Sequence, residues 1–152
     1  MAICVGNTYL AVEGSAQTAD EAIRLCGERL VKAGCVREGF AQSCIDREKE
    51  YPTGICAVTP VALPHSMSDD ILKSSLCYLR LTKAVEFRRM DDEQNTIKTR
   101  HVFNLAIDRG DHLKFLSKVV GLLQSPQVIG DLEVMDIDRA AAYLHDLIER
   151  ED

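Results

Sequence analysis

The chain has 152 residues, of which 46% are hydrophobic and 28% are charged. This length and composition predict one compact domain with a sizeable core. The net charge of -6 argues against a protein that binds nucleic acid, because such proteins carry clustered basic surfaces, and it favours a partner with a basic surface.

The first two predicted elements are helices. Thr18 and Glu21 have the spacing of a capping box, and the apolar residues that follow recur near the helical period until Gly34, which is expected to end the helix. A second helix is predicted over 37–50. Arg47 falls in its last turns, where the helix dipole favours a cation, so a purely electrostatic role is one interpretation of this residue.

The middle of the chain predicts extended structure. Residues 55–63 are rich in apolar and β-branched side chains, although Pro60 cannot donate to a β-ladder and limits the segment to an edge or a short strand. Alternating residues over 76–81 and the run 85–87 predict a hairpin whose turn lies at 82–84.

The charged stretch over 88–98 has no period and is predicted to be a loop, and 99–107 is predicted to be a buried strand. Three helices are predicted after it, over 112–123, 126–132 and 137–149. Strands mixed with helices in a single domain predict an α/β sandwich, in which a mixed β-sheet is flanked by helices.

The six cysteines are scattered along the chain without a Cys-x-x-Cys pair. They therefore predict neither a zinc ribbon nor a thioredoxin-like motif, and without a recognisable signal peptide they are expected to be reduced thiols in the cytoplasm. Cys26, Cys56 and Cys77 lie in apolar patterns and are predicted core residues. No apolar stretch approaches the roughly 20 residues that span a bilayer, so no membrane insertion is expected.

The run Val61-Ala62-Leu63-Pro64-His65 ends an apolar segment on a proline and then presents a histidine. Pro64 fixes its own φ and biases Leu63 toward extended geometry, which restricts where His65 can point. A neutral imidazole held in this way is a candidate nucleophile. Taken alone, the same residues are also typical of a histidine in a surface turn.

The segment from Arg47 to His65, with Gly54 between them, resembles the enzyme IIA proteins of the fructose/mannitol class (type 2). These are components of the phosphoenolpyruvate-dependent sugar phosphotransferase system. The resemblance runs over almost the whole chain, and residues 46–54 are most similar to the galactitol-type branch. It implies one enzyme IIA domain over 1–152 and a cytoplasmic phosphotransferase that acts through a phosphohistidine without a cofactor.

The resemblance also implies site residues. In that family the histidine of the run is phosphorylated and an arginine earlier in the chain lies in the same site, and His65 and Arg47 match these positions. His112 matches a helix-start histidine beside the phosphorylated one, and the first turn of a helix is suited to anions. Ser66 and Ser68 offer hydroxyls for phosphate oxygens, although Ser68 is equally suited to capping a helix.

Two partners are implied by the same resemblance. The histidine phosphocarrier protein donates the phosphoryl group, and a cysteine of an enzyme IIB component accepts it, for uptake of a galactitol-like or fructose-like carbohydrate. The chain lacks the glycine motifs of nucleotide-binding loops, so bound ATP is not expected as the donor. The apolar residues Leu63 and Met67 are predicted to contact the carriers, and Asp69 and Asp70 to attract a basic surface.

Two other functions remain open. One is a regulatory, nitrogen-type enzyme IIA that signals by its phosphorylation state. The other is a metal-binding or thiol-sensing module built on His65, His112 and cysteines, but the spacing offers no closed zinc set and no metal ion is expected. The remaining histidines, His101 on a predicted strand and His145 on the last predicted helix, are expected to be structural or surface residues.

Overall fold

The computed structural model of the protein describes residues 7–108 and 112–150, apart from the side chains of His112 and Leu113. The described elements, in chain order, are β1 (Thr8–Gly14), α1 (Ala19–Lys32), α2 (Phe40–Glu50), β2 (Gly54–Ile55), β3 (Val61–Ala62), β4 (His65–Ser66), β5 (Ser75–Arg88), β6 (Thr96–Ala106), α3 (His112–Leu123), α4 (Pro126–Val134) and α5 (Ile137–Glu149).

The strands form one mixed sheet in the order β1-β5-β6-β3-β2, with β4 also paired to β6. The β1–β5, β3–β6 and β4–β6 pairs are parallel, whereas β5–β6 and β2–β3 are antiparallel. Helices cover both faces, so the predicted α/β sandwich with a mixed sheet is confirmed.

Alternate residues of the central strand β5 supply the two cores, because successive side chains of a strand point to opposite faces of the sheet. Cys77 and Leu79 pack with residues of α1 and α2 on one face. Leu76 and Tyr78 pack with α3, α4 and α5 on the other. Helix α2 also packs against β4, so one helix and one short strand lie together near the edge of the sheet.

Local capping explains the helix boundaries. The Thr18 hydroxyl accepts the Glu21 amide at 3.2 Å, as predicted, and Gly34 with φ of +79° ends α1. Helix α2 begins three residues later than predicted because the Arg37 amide donates to the Asp70 carbonyl at 2.7 Å and is held outside the helix. Helices α3 and α5 have their predicted bounds, and α4 extends two residues further.

The hairpin predicted within 76–87 is wrong. Strand β5 continues without reversing, and its register on β6 shifts from Arg80 opposite His101 to Val85 opposite Thr99. Residues 82–84 are exposed while both flanks are buried, so the polar stretch that resembles a turn is a bulge in one long strand. The chain reverses instead at 89–95, inside the predicted loop, and β6 starts three residues before the predicted strand.

Two other sequence predictions need correction. The extended segment predicted over 55–63 contains only β2 and β3, and the intervening residues leave the sheet before Pro60, although β2 does lie at a sheet edge as predicted. Cys26 and Cys77 are buried, whereas Cys56 is exposed because it lies in the loop between these two strands. None of the helices among residues 7–108 and 112–150 is long and apolar enough to cross a membrane.

Candidate functional site

The backbone around His65 is fixed from two sides. Strand β4 pairs in parallel with β6, which places His65 opposite Leu105. The carbonyl of Pro64 accepts the Leu105 amide at 3.0 Å and the buried Asn104 side-chain amide at 3.0 Å. Pro64 has a fixed φ and its carbonyl accepts two hydrogen bonds, so the backbone of the following residue has little conformational freedom. His65 is therefore presented by rigid main chain.

The imidazole of His65 is half-buried and has a defined tautomer. Its Nδ1 lies 2.8 Å from the Leu63 carbonyl oxygen. A carbonyl only accepts hydrogen bonds, so Nδ1 carries the proton of the neutral ring and Nε2 keeps its lone pair. Within the part of the chain that the structure describes, Nδ1 is the ring nitrogen with a hydrogen-bond partner. Nε2 is consequently the ring nitrogen whose lone pair could attack an electrophile.

The surroundings of His65 favour its neutral form. Burial lowers the pKa of the imidazole, and the nearby Arg47 guanidinium lowers it further, while the hydrogen bond to the Leu63 carbonyl opposes them in part. Desolvation disfavours the imidazolium, and a neighbouring cation repels it. A neutral ring at neutral pH is what nucleophilic attack by Nε2 requires.

Arg47 lies in the last turn of α2, as predicted, and is half-buried. Its guanidinium carbon lies 5.1 Å from the centre of the Tyr51 ring, which is within the range of a cation–π contact. Among the described residues its buried Nε has no hydrogen-bond partner. A fixed guanidinium with an unused buried donor is suited to binding an anion beside His65.

Hydrogen bonds join the buried side chain of Glu48 to Thr53 and Thr53 to Leu63, the residue whose carbonyl contacts His65. The sequence did not predict this Glu48–Thr53–Leu63 link. Both carboxylate oxygens of Glu48 accept from Thr53, one from its amide and one from its hydroxyl, each at 2.8 Å. The Leu63 amide in turn donates to the Thr53 hydroxyl at 3.2 Å and to the Thr53 carbonyl at 3.3 Å. Burial raises the pKa of Glu48, whereas the Thr53 donors and the nearby arginines oppose that rise.

The predicted phosphate ligands Ser66 and Ser68 both have partners within the protein. Ser66 is buried, and its hydroxyl lies 2.6 Å from the hydroxyl of Ser43 on α2. The Ser68 hydroxyl accepts the Asp70 amide at 3.2 Å in a turn that no helix follows, so the alternative of a helix cap is wrong. A hydroxyl retains further hydrogen-bonding capacity in such pairs.

His112 is the first residue of α3, which is the predicted position. Its side chain lies outside the described residues, so its predicted role of orienting and hydrogen-bonding the phosphoryl group stays a prediction. The backbone places His112 at a helix N-terminus, where amides of the first turn lack intrahelical partners.

The family model described as "Phosphoenolpyruvate-dependent sugar phosphotransferase system, EIIA 2" matches residues 7–147. The chain belongs to this family. Proteins of this family are phosphotransferases that act through a phosphohistidine, as the sequence resemblance predicted.

Relatives of two sugar specificities match this enzyme IIA chain. It is 31% identical over 117 residues to the mannitol-specific EIICBA component of Escherichia coli (strain K12), a match that covers 75% of this chain. The chain spans only 17% of the length of that relative. It is 28% identical over 113 residues to the galactitol-specific EIIA component of the same strain, which covers 74% of this chain and 75% of the relative.

A solved structure agrees with the fold over nearly the full length. The complex of enzyme IIAMTL and phosphorylated enzyme IIBMTL from Escherichia coli matches with a TM-score of 0.71 and 27% identity. The match covers 98% of this chain and 99% of that one. The mixed sheet with helices on both faces is therefore the architecture of a solved enzyme IIA.

Leu63 was predicted to contact the carriers, but it is 1% exposed and cannot do so. Met67 is 40% exposed, as predicted. The Asp70 carboxylate packs against Gly39 at the start of α2, so closely that a Cβ at Gly39 would collide with it. A carboxylate is electrostatically favoured at a helix N-terminus.

His101 is a structural histidine, which confirms its prediction. Its Nε2 lies 2.6 Å from the Glu133 carboxylate and its Nδ1 lies 2.7 Å from the Tyr78 hydroxyl, so both ring nitrogens are used. Among the described residues no group of histidine, cysteine and acidic side chains could hold a metal ion. His145 is half exposed and lies against the Tyr9 ring.

Proposed function

We propose that this enzyme IIA domain is a phosphocarrier for the uptake of a hexitol such as mannitol or galactitol. His65 takes a phosphoryl group from the phosphohistidine of the histidine phosphocarrier protein and passes it to a cysteine of an enzyme IIB component. The single observation that carries the proposal is the half-buried, neutral imidazole whose Nδ1 is held by the Leu63 carbonyl while Nε2 keeps its lone pair.

The transfer is an exchange of one bond to phosphorus for another. The lone pair of His65 Nε2 attacks the phosphorus, and the bond from phosphorus to the donor imidazole breaks, leaving its electron pair on that ring. In the second step a partner thiolate attacks the phosphorus and the imidazole of His65 leaves. In both steps the proton stays on Nδ1, which keeps donating its hydrogen bond to the Leu63 carbonyl.

Arg47 and His112 are proposed to stabilise the charge on the transferring phosphoryl group. The unused buried Nε of Arg47 supports this role, because fixed cationic donors are the main contribution a protein makes to phosphoryl transfer. His112 is supported by its position at the start of α3. Ser66 and Ser68 are proposed to complete the phosphate contacts through the hydroxyl capacity that their internal hydrogen bonds leave free.

The partners and the transport role rest on the relatives. The solved complex pairs a similar enzyme IIA with a phosphorylated enzyme IIB, which supports an IIB component as the acceptor. The mannitol- and galactitol-specific relatives support uptake over the regulatory, nitrogen-type alternative. Exchange with a phosphocarrier protein of the phosphotransferase system would place this domain, proposed to cover 1–152, in the cytoplasm.

Phosphate incorporation tests the proposal. The protein, incubated with phosphoenolpyruvate, enzyme I and the histidine phosphocarrier protein, should gain one acid-labile phosphate, and His65→Ala should gain none. His145→Ala, which removes a half-exposed histidine elsewhere, is the matched control and should gain the same phosphate as the wild type. Labelling that persists in His65→Ala would overturn the assignment. Transfer onward to candidate IIB proteins then separates uptake from regulation.

A further inference from the structure

We propose that Glu48 is a positioning residue for the phosphoacceptor: through Thr53 it holds Leu63, whose carbonyl sets the tautomer and direction of the His65 ring. This inference rests on the proposed role of His65 as the acceptor. It assigns a function to a buried acidic side chain that does not touch the imidazole itself.

Glu48 and Thr53 contact each other in the protein interior, where they are 8% and 2% exposed. Burying a carboxylate is costly unless hydrogen bonds satisfy it. Here both oxygens are satisfied by one residue, through its amide and its hydroxyl at 2.8 Å each. Two bonds from one residue to one carboxylate fix the Thr53 backbone and its hydroxyl direction together.

The hydrogen bonds continue from Thr53 to Leu63. With its proton donated to Glu48, the Thr53 hydroxyl turns a lone pair toward the Leu63 amide, which it accepts at 3.2 Å. The amide side of Leu63 is thereby fixed. Its carbonyl side is restricted by Pro64, because a residue before proline is confined to extended geometry. Within this restricted geometry the Leu63 carbonyl oxygen points to His65 Nδ1 at 2.8 Å.

Helix α2 carries both Glu48, which begins the Glu48–Thr53–Leu63 link, and Arg47, whose guanidinium is suited to binding an anion. Glu48 follows Arg47 directly in sequence, so one turn of helix carries both the guanidinium beside His65 and the carboxylate that acts through Thr53 on the Leu63 carbonyl. The Glu48 carbonyl in turn accepts from Arg88 of β5 at 3.2 Å, which ties this turn to the sheet. The turn that carries Arg47 and Glu48 is therefore anchored to β5.

The tautomer of His65 distinguishes positioning from a purely structural role. Nitrogen NMR separates a protonated ring nitrogen from a bare one, and it can be measured on the unphosphorylated protein. Thr53→Val keeps the shape of the side chain but removes the hydroxyl that joins Glu48 to Leu63. We expect a mixture of the two His65 tautomers in this variant and a transfer rate about 10-fold lower, below the roughly 100-fold cost of a 1 Å misplacement.

Two further variants address the same link. Thr53→Ser restores the hydroxyl and should restore the wild-type His65 spectrum. Glu48→Gln keeps the size of the side chain but offers one acceptor oxygen to the two donors of Thr53, so it should also give mixed tautomers. If one of the damaging variants does not fold, the other still decides the question.

Controls separate this inference from general destabilisation and from the proposed function. Ile129→Val lowers the stability of the core cluster that also contains Leu63 but removes no hydrogen bond between Glu48, Thr53 and Leu63, so it should leave the His65 spectrum and the transfer rate unchanged. His101, which uses Nε2 as its donor, is an internal reference in every spectrum. Wild-type tautomer and rate in both Thr53→Val and Glu48→Gln would overturn the positioning role alone. Absence of phosphate on wild-type His65 would overturn the proposed function and leave the tautomer result standing.

Discussion

Two strand histidines differ in their surroundings: His65 is half-buried in β4, and His101 is buried in β6. His65 and His101 both have a pKa lowered by burial. His101 donates from Nε2 to Glu133 and accepts at Nδ1 from Tyr78, so both nitrogens serve the fold. His65 donates from Nδ1 to a carbonyl, which leaves it in the opposite tautomer. Burial alone does not make an acceptor. The engagement of the second nitrogen decides which of the two rings is available for chemistry.

The largest expected effect concerns the cation beside His65. Removing one donor to a developing charge costs about 100- to 1000-fold in rate, and we expect about 100-fold or less for Arg47→Ala and for His112→Ala because the site is partly solvated. The pKa of His65 should rise in Arg47→Ala, since the guanidinium lowers it. Stopped-flow transfer from the phosphocarrier and an NMR titration measure both quantities. Normal folding with wild-type transfer rates would show that these residues are structural.

The reverse behaviour is expected of His101. His101→Ala leaves the buried Tyr78 hydroxyl without its partner, and an unsatisfied buried group costs about 1–3 kcal/mol. The free energy of unfolding should fall by that amount in urea denaturation, while phosphate incorporation at His65 persists. His65→Ala should lose phosphate incorporation and keep a free energy of unfolding close to that of the wild type. A loss of phosphorylation in folded His101→Ala would contradict the division of roles between the two rings.

The free energy of unfolding should depend on pH through both His65 and His101. Their pKa values are lowered in the folded protein from an ordinary value of 6.5, so the unfolded chain binds protons that the folded chain does not. Their contribution to stability is therefore complete above that value and declines as the pH falls through it toward the folded pKa values. Urea unfolding between about pH 7.5 and about pH 5.5 measures the slope. His65→Gln should flatten it.

The smallest expected effects come from two acidic residues near His65. Asp70 packs against the start of α2, so Asp70→Asn should cost about 0.3–1 kcal/mol of stability. Asp69 is exposed, and Asp69→Asn should weaken the acceleration of phosphocarrier docking at low salt, because exposed charges steer association. Transfer rates against ionic strength test this steering. Equal salt dependence in Asp69→Asn and the wild type would show that this carboxylate does not guide docking.

Local signals account for the parts of the fold that could be predicted. The Thr18 cap and the period of the last helix are properties of short segments, and the structure confirms both. Strand β1 was not predicted, although the apolar run over 9–12 is typical of a strand. Residues 82–84 interrupt the apolar run, and only the pairing of Arg80 and Val85 on either side with β6 makes them a bulge. Pairing between distant segments is not readable from either segment alone.

The candidate site shows the same limit. The proline before His65 predicted a restricted backbone, and the pairing of β4 with β6 confirms it, whereas the role of His65 as acceptor stays a prediction together with that of Arg47. Glu48 was missed, although its spacing from Cys44 places it on the buried face of α2, where an acidic residue is unusual. Asn104 carried a similar signal as an amide within an apolar strand. Their partners, Thr53 and the Pro64 carbonyl, are set by the tertiary fold.

The parallel pairing of β1 with β5 has a consequence for synthesis on the ribosome. Thr8 lies opposite Ser75, so β1 leaves the ribosome well before the strand with which it pairs. Such non-local pairing is slow, whereas the antiparallel β5–β6 pair closes over a short connection. We expect β1 to dock late during translation. A chain that lacks β1 would present β5 as a bare edge, which is a template for aggregation.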